Sequence, residues 1–201
     1  RGMAALGVVL ASVLFVASLV GCSSSVAPIK RSIVNLARGT QNGVAADAGT
    51  AAQIAALCHL LAEENPTPDV SSSPLVAGCW DLVYTDTSSS SAGKLGPFVG
   101  RVQQRFDDVD AREYSNLVLL GPVVKGELKA KWEVVDQATW KVTFKSISFS
   151  LFGLPLVKDK PLSQVGTWRH TYLDDDFRVL YAQSGIKPAS IYVLAREPLL
   201  D

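Results

Sequence analysis

The sequence predicts a mainly-β protein: an antiparallel barrel of about eight strands, preceded by one or two helices and by an N-terminal transmembrane helix. Three observations predict it. From residue 80 onward, runs of apolar and polar residues alternate with period two. Between residues 28 and 64, two stretches carry their apolar residues at helical spacing. Before these, residues 3–21 contain no charge. The chain divides accordingly into a transmembrane helix with a short linker (1–27), a helical segment (28–70) and a barrel (71–201).

Residues 3–21 would span about 28 Å as a helix, close to the hydrocarbon thickness of a bilayer. Gly7 with Ala11, and Ala17 with Gly21, place small residues four apart, where helices in lipid approach closely. A cleaved targeting peptide is the alternative, and Leu19-Val20-Gly21-Cys22 resembles a bacterial lipoprotein box. Lys30, Arg31 and Arg38 follow the run, against Arg1 before it. The positive-inside rule then keeps the large domain on the side of synthesis or import.

The helical segment opens at Pro28, a residue suited to a first turn. Ile29, Ile33, Leu36 and Ala37 share one face, and Gly39 and Gly43 break the helix. A second helix is expected over 50–64, with Ile54, Leu57, Cys58 and Leu61 on one face. Asn65-Pro66-Thr67-Pro68 stops it, since proline disfavours helix at itself and before itself.

Expected strands cover 80–85, 98–106, 114–120, 127–135 and 139–149. Over 127–135, Leu128, Ala130, Trp132 and Val134 alternate with charged residues; Trp140, Val142 and Phe144 do the same in the next strand. Residues 151–161, with Gly153, Pro155 and Pro161, form an apolar loop in this reading. Gly166, Trp168, His170 and Tyr172 then alternate along a strand. Asp174, Asp175 and Asp176 make a tight turn, and Phe177, Val179 and Tyr181 continue on the returning strand. Residues 191–196 form the last strand. A meander of this length hides its edges by closing on itself, which leaves room for side chains or one small ligand. Trp132, Trp140, Val142 and Phe144 are the candidate cavity lining; ordinary core packing is the other reading of the same residues.

The 201 residues carry nineteen basic and nineteen acidic side chains, so there is no net charge. That balance argues against a nucleic-acid partner, which needs clustered cations. Three cysteines make no disulfide framework. Cys58 is expected as a buried thiol and Cys79 in a strand, with a Cys58–Cys79 bridge as the minor alternative; free thiols suit a reducing compartment. The three consecutive aspartates lack the spacing of a calcium loop. His59 and His170 are too few for a zinc site, although either is a conceivable ligand for a chlorophyll magnesium. No phosphate-binding glycine loop and no Gly-x-Ser-x-Gly occurs. No residue is assigned a catalytic or metal-binding role, and the chain is read as a non-enzyme.

Several co-linear motifs resemble those of the plastid lipid-associated proteins, or fibrillins. They include Arg38-Gly39, Asn65-Pro66-Thr67-Pro68, Gly78-Cys79-Trp80-Asp81-Leu82-Val83-Tyr84-Thr85, residues 103–106, Asn116 and Tyr172-Leu173-Asp174-Asp175-Asp176-Phe177-Arg178-Val179. The resemblance implies a lipocalin-like barrel in a plastid protein of thylakoids or lipid bodies, one that carries or organises isoprenoids, carotenoids, quinones or lipids. Gly78-x-Trp80 also resembles the lipocalin opening, where a tryptophan closes one barrel end beneath an arginine; Arg196 matches that position, and a guanidinium on an indole is attractive. Two features depart from the family: the insertion at 184–190 and the N-terminal apolar run. Two functional readings follow. In one, the protein is a single-pass thylakoid subunit with its domain in the stroma, docked on a photosystem or antenna complex and holding pigment or lipid. In the other, it is a carrier of apolar ligands that belongs to no stable complex.

Overall fold

The computed structural model describes residues 26–196. The expected span over residues 3–21, with Gly7, Ala11, Ala17 and Gly21, lies outside the described residues. Among the described residues, no helix is long and apolar enough to cross a membrane.

Among the described residues two α-helices come first, α1 (Val26–Ala37) and α2 (Ala48–Glu63). Helix α1 begins two residues before Pro28, within the expected linker, so the proline sits in the first turn, where its missing N–H has no helical partner to lose. Asp47 caps α2: its carboxylate accepts a hydrogen bond from the Thr50 amide at 2.8 Å. Gly43, between the helices, has φ +96°, and a Cβ there would lie 2.0 Å from the Thr85 carbonyl oxygen. Only glycine allows the connection to lie this close to the sheet.

Eleven strands follow among the described residues. Strand β1 is Gly78–Thr85. A small hairpin, β2 (Lys94–Leu95) and β3 (Phe98–Val99), precedes β4 (Arg101–Asp108). Next come β5 (Glu113–Leu120), β6 (Val124–Val134), β7 (Thr139–Leu151) and β8 (Leu154–Pro161). The last are β9 (Val165–Leu173), β10 (Phe177–Ser184) and β11 (Ser190–Ala195). Strands β1, β4, β5, β6, β7, β9, β10 and β11 pair in that order, all antiparallel, and β11 returns to β1. The result is a closed eight-stranded meander barrel.

The expected strand over 98–106 is split at Gly100, where a Cβ would lie 2.6 Å from the Leu119 carbonyl oxygen. The expected loop over 151–161 is instead strand β8, which pairs only with the second half of β7; β9 takes the first half. Its prolines misled the reading because proline is excluded from central strands yet tolerated at an edge, and β8 is an edge.

Bulges set which residues face inward. Between Lys129 and Ala130 the partner on β7 jumps from Ser146 to Phe144. Trp140, Val142 and Phe144 therefore point inward before the bulge, and Ile147 and Phe149 after it. A bulge between β9 and β10 likewise turns Tyr172 outward while Trp168 and His170 face in.

The helices cover the outer face of β1, β9, β10 and β11. Ile33, Ile54, Cys58 and Leu61 pack there on Tyr84, Tyr172, Phe177, Val179 and Val193. Lys30 of α1 ion-pairs with Asp174 and, at 2.6 Å, with Asp176. The other oxygen of Asp174 accepts from the Phe177 amide at 2.9 Å, so the aspartate turn is consumed by its own backbone and by the helix. Asn65 and Thr67 of the Asn-Pro-Thr-Pro stop grip the end of β9: Asn65 accepts from the Leu173 amide at 3.0 Å, and Thr67 donates to the Leu173 carbonyl at 2.7 Å. Cys58 is buried, and burial pushes its thiol pKa up to about 12. Cys79 lies exposed in β1, and both thiols are free, as the main reading expected and against the minor alternative of a bridge.

One barrel end is closed by Trp80. Its indole N–H donates to the Val76 carbonyl at 2.8 Å, and the Arg196 guanidinium lies 4.1 Å from its ring centre. Arg196 also donates to the carbonyls of Leu75 (2.5 Å) and Ala77 (2.6 Å), tying the preceding turn over the tryptophan. Trp80→Ala is expected to cost about 3–5 kcal/mol of stability, as measured by urea denaturation of the full chain. A change under about 1 kcal/mol would show that the closure does not hold the barrel.

Candidate ligand cavity

The barrel interior has two unlike halves. Towards Trp80 it is filled by rings. Trp132 and Trp140 stack at 4.8 Å, Phe106 and Tyr114 at 5.2 Å, and Tyr114 meets Trp168 at 4.9 Å. Into this plug projects Arg178 of β10, with no solvent exposure. Its guanidinium carbon is 4.9 Å from the centre of Phe106, 5.4 Å from Trp140 and 5.9 Å from Trp168. Aromatic faces attract a desolvated cation.

Towards the other end the inward residues are smaller or further apart, and a cavity of about 480 Å³ opens. That volume falls within the range of small-molecule sites. Its walls are mostly apolar: Leu82, Val102, Val118, Leu128, Ile147, Phe149 and Tyr192. Gly126 contributes by absence, since a Cβ there would meet the Phe149 ring at 3.1 Å. Trp168, Gln104 and Asn116 line its inner end, and Ser89, Ser90, Leu95, Lys187 and Pro188 line its mouth.

Of the four residues expected to line a cavity, Phe144 lies on the wall. Trp132, Trp140 and Val142 lie in the filled half. Large rings that meet across a narrow barrel fill it instead of leaving space. Ile147 and Phe149 were missed, although the sequence carried their signal: the apolar positions switch from even (Trp140, Val142, Phe144) to odd (Ile147, Phe149) across Lys145-Ser146. Gln104 and Asn116 carry no signal in the periodicity and stand out only as positions in the family motifs. His59 lies on α2 at the surface, 3.6 Å from Glu63, away from the barrel interior.

The boundary between the halves is polar. Arg178 donates to the Gln104 carbonyl oxygen at 3.4 Å and lies 3.5 Å from His170 Nδ1. Arginine can only donate, so Nδ1 accepts and the histidine proton sits on Nε2. Burial, and secondarily the Arg178 charge, hold the His170 pKa well below 6.5. Burial, and to a lesser degree the Arg196 charge, lower Arg178 to about 9, still above neutrality, so the guanidinium stays charged. The same desolvation raises the Tyr114 phenol well above 10. No group of three His, Cys, Asp or Glu with metal-binding geometry occurs among the described residues.

The neutral histidine makes stability depend on pH with a definite sign. Its pKa is lower folded than unfolded, so below about pH 6.5 the unfolded chain binds a proton that the folded chain refuses, and stability falls as pH falls. The free energy of urea unfolding is expected to decline between pH 7.5 and 5, and His170→Gln should flatten that decline. An equal slope in the variant would place the titrating group elsewhere.

The family model PAP_fibrillin matches residues 27–167, from α1 into β9, well over half of the chain. No curated protein and no solved structure matches. The aligned region contains both helices, the closing tryptophan and most of the cavity wall, and by it the chain belongs to the PAP/fibrillin family of plastid lipid-associated proteins.

Proposed function

We propose that the open half of the barrel holds one apolar molecule, such as a carotenoid, quinone or lipid chain, and that the protein acts by binding and placement at a thylakoid membrane. The observation that carries this reading is the 480 Å³ apolar-walled cavity above an aromatic floor. A barrel that served only as a scaffold would gain stability by filling that space, as its other half does.

The rim supports a membrane setting. Phe98, Phe152, Leu154, Leu156 and Ile186 are exposed at the same barrel end as the mouth. Exposed apolar groups gathered in one place mark a surface that meets lipid or another protein. Lys94, Lys158, Lys160 and Lys187 flank them, which suits an anionic lipid surface. A ligand entering at this end would pass between bilayer and cavity without crossing water. The apolar run at residues 3–21 would tether the domain beside the membrane on the stromal side, with a photosystem or antenna complex as its protein partner. Carriage without a stable complex is the competing reading, and the cavity serves either.

Binding is read directly through Trp168, which lines the cavity. A short-chain plastoquinone analogue should quench tryptophan emission saturably. Ala182→Phe, which pushes a ring into the cavity from β10, should weaken the affinity about tenfold or more. Unchanged affinity in the variant would place the ligand outside the barrel.

A further inference from the structure

Arg178 is an incomplete ion pair. It is buried without exposure, and no carboxylate among the described residues pairs with it. Its two hydrogen bonds go to neutral acceptors and are long, 3.4 Å to Gln104 and 3.5 Å to His170. Its Nε–H has no partner. Three further buried donors next to it are equally unspent: the Trp140 indole N–H, His170 Nε2–H and the Tyr114 hydroxyl, which lies beside the Asn116 amide without closing a bond of normal geometry. An uncompensated buried cation costs far more than a buried neutral group. The rings around Arg178 offset only part of that cost.

The layer faces the cavity through Gln104. This side chain is 5 % exposed and lines the cavity's inner end. Its carbonyl oxygen is held by Arg178, which leaves its amide N–H groups as the side turned from the guanidinium. Asn116 stands on the same floor; its Oδ1 is buried without a partner, and turning the amide over presents a donor to the cavity instead. A ligand reaching this floor meets donors first and a positive charge one side chain behind them. A neutral carbonyl would satisfy a donor and leave the charge uncompensated; a carboxylate satisfies the donor and compensates the charge.

We propose that the cavity selects an amphiphile with a carboxylate head, seated head-down on Gln104 and Asn116 with Arg178 as its buried counter-ion, and with its apolar tail running past Leu82, Ile147 and Phe149 to the mouth. The proposal rests on the ligand-holding reading above and narrows it to acids. In that arrangement Arg178 is a positioning residue: it orients Gln104 and supplies the field, while Gln104 makes the contact.

The test compares dodecanoic acid with dodecanol, identical in tail, by displacement of a neutral naphthylamine dye from the full chain at neutral pH. The acid should bind more tightly by about tenfold or more, the worth of one hydrogen bond to a charged group. In Arg178→Met the ratio of acid to alcohol affinity should fall to about one. Gln104→Glu gives Arg178 a carboxylate of the chain's own; this variant should melt at higher temperature than the parent and lose the acid preference, and it decides the matter if Arg178→Met does not fold. Equal affinities in the parent chain overturn the carboxylate assignment and leave the cavity reading standing. An acid preference that survives in Gln104→Glu overturns it too. Displacement by neither compound overturns the cavity reading and this inference together.

Discussion

The guanidinium of Arg178 lies among Phe106, Trp140 and Trp168, and no carboxylate among the described residues stands beside it. A desolvated cation in that position requires rings on every open side, and rings supplied by five strands converge there. Their bulk fills the barrel's cross-section at that level. The same charge requires a neutral His170, since a second cation 3.5 Å away would repel it. It also orients Gln104, whose carbonyl oxygen it holds. Floor, polarity and direction of the cavity thus derive from one buried side chain.

The helices make that arrangement rigid. Strand β10 is buried on both faces, with Arg178 and Leu180 inside the barrel and Phe177 and Val179 beneath the helices. Lys30 reaches from α1 to the β9–β10 turn, so the strands that carry His170 and Arg178 are joined to the helix at their tip. The far side of the barrel is different. Strand β8 is exposed throughout and pairs with only one neighbour. The fixed strands hold the polar floor, whereas the edge strand lies at the mouth. That division suits a site in which the head of a ligand must be positioned and its tail only accommodated.

Much of this was legible in the residues. The alternation from Trp80 onward predicts the meander, because side chains in a strand alternate faces whatever the tertiary context. The Asp174–Asp175–Asp176 turn and the meeting of Trp80 with Arg196 follow from local chemistry and from family motifs. Three things were not legible. Side chains such as Trp132 and Trp140 are equally suited to a lining or to a plug; only the mutual distance of rings from different strands decides. The partner of Lys30 lies 146 residues away, and periodicity carries nothing over that range. Arg178 alternates with Phe177 and Val179 as an outward residue of a half-buried strand would. Its burial depends on the helices covering the opposite face, which reverses the ordinary sense of the pattern.

The central claim is that a ligand occupies the upper half of the barrel, above the aromatic floor. Methyl NMR of the full chain, titrated with a long-chain apolar ligand, tests it most directly. The account predicts chemical-shift changes and intermolecular contacts at the methyls of Leu82, Val102, Val118, Leu128 and Ile147, with little change at Ile33, Ile54 and Leu61 beneath the helices. Contacts confined to Leu154, Leu156 and Ile186 on the rim, with an unperturbed interior, would contradict it.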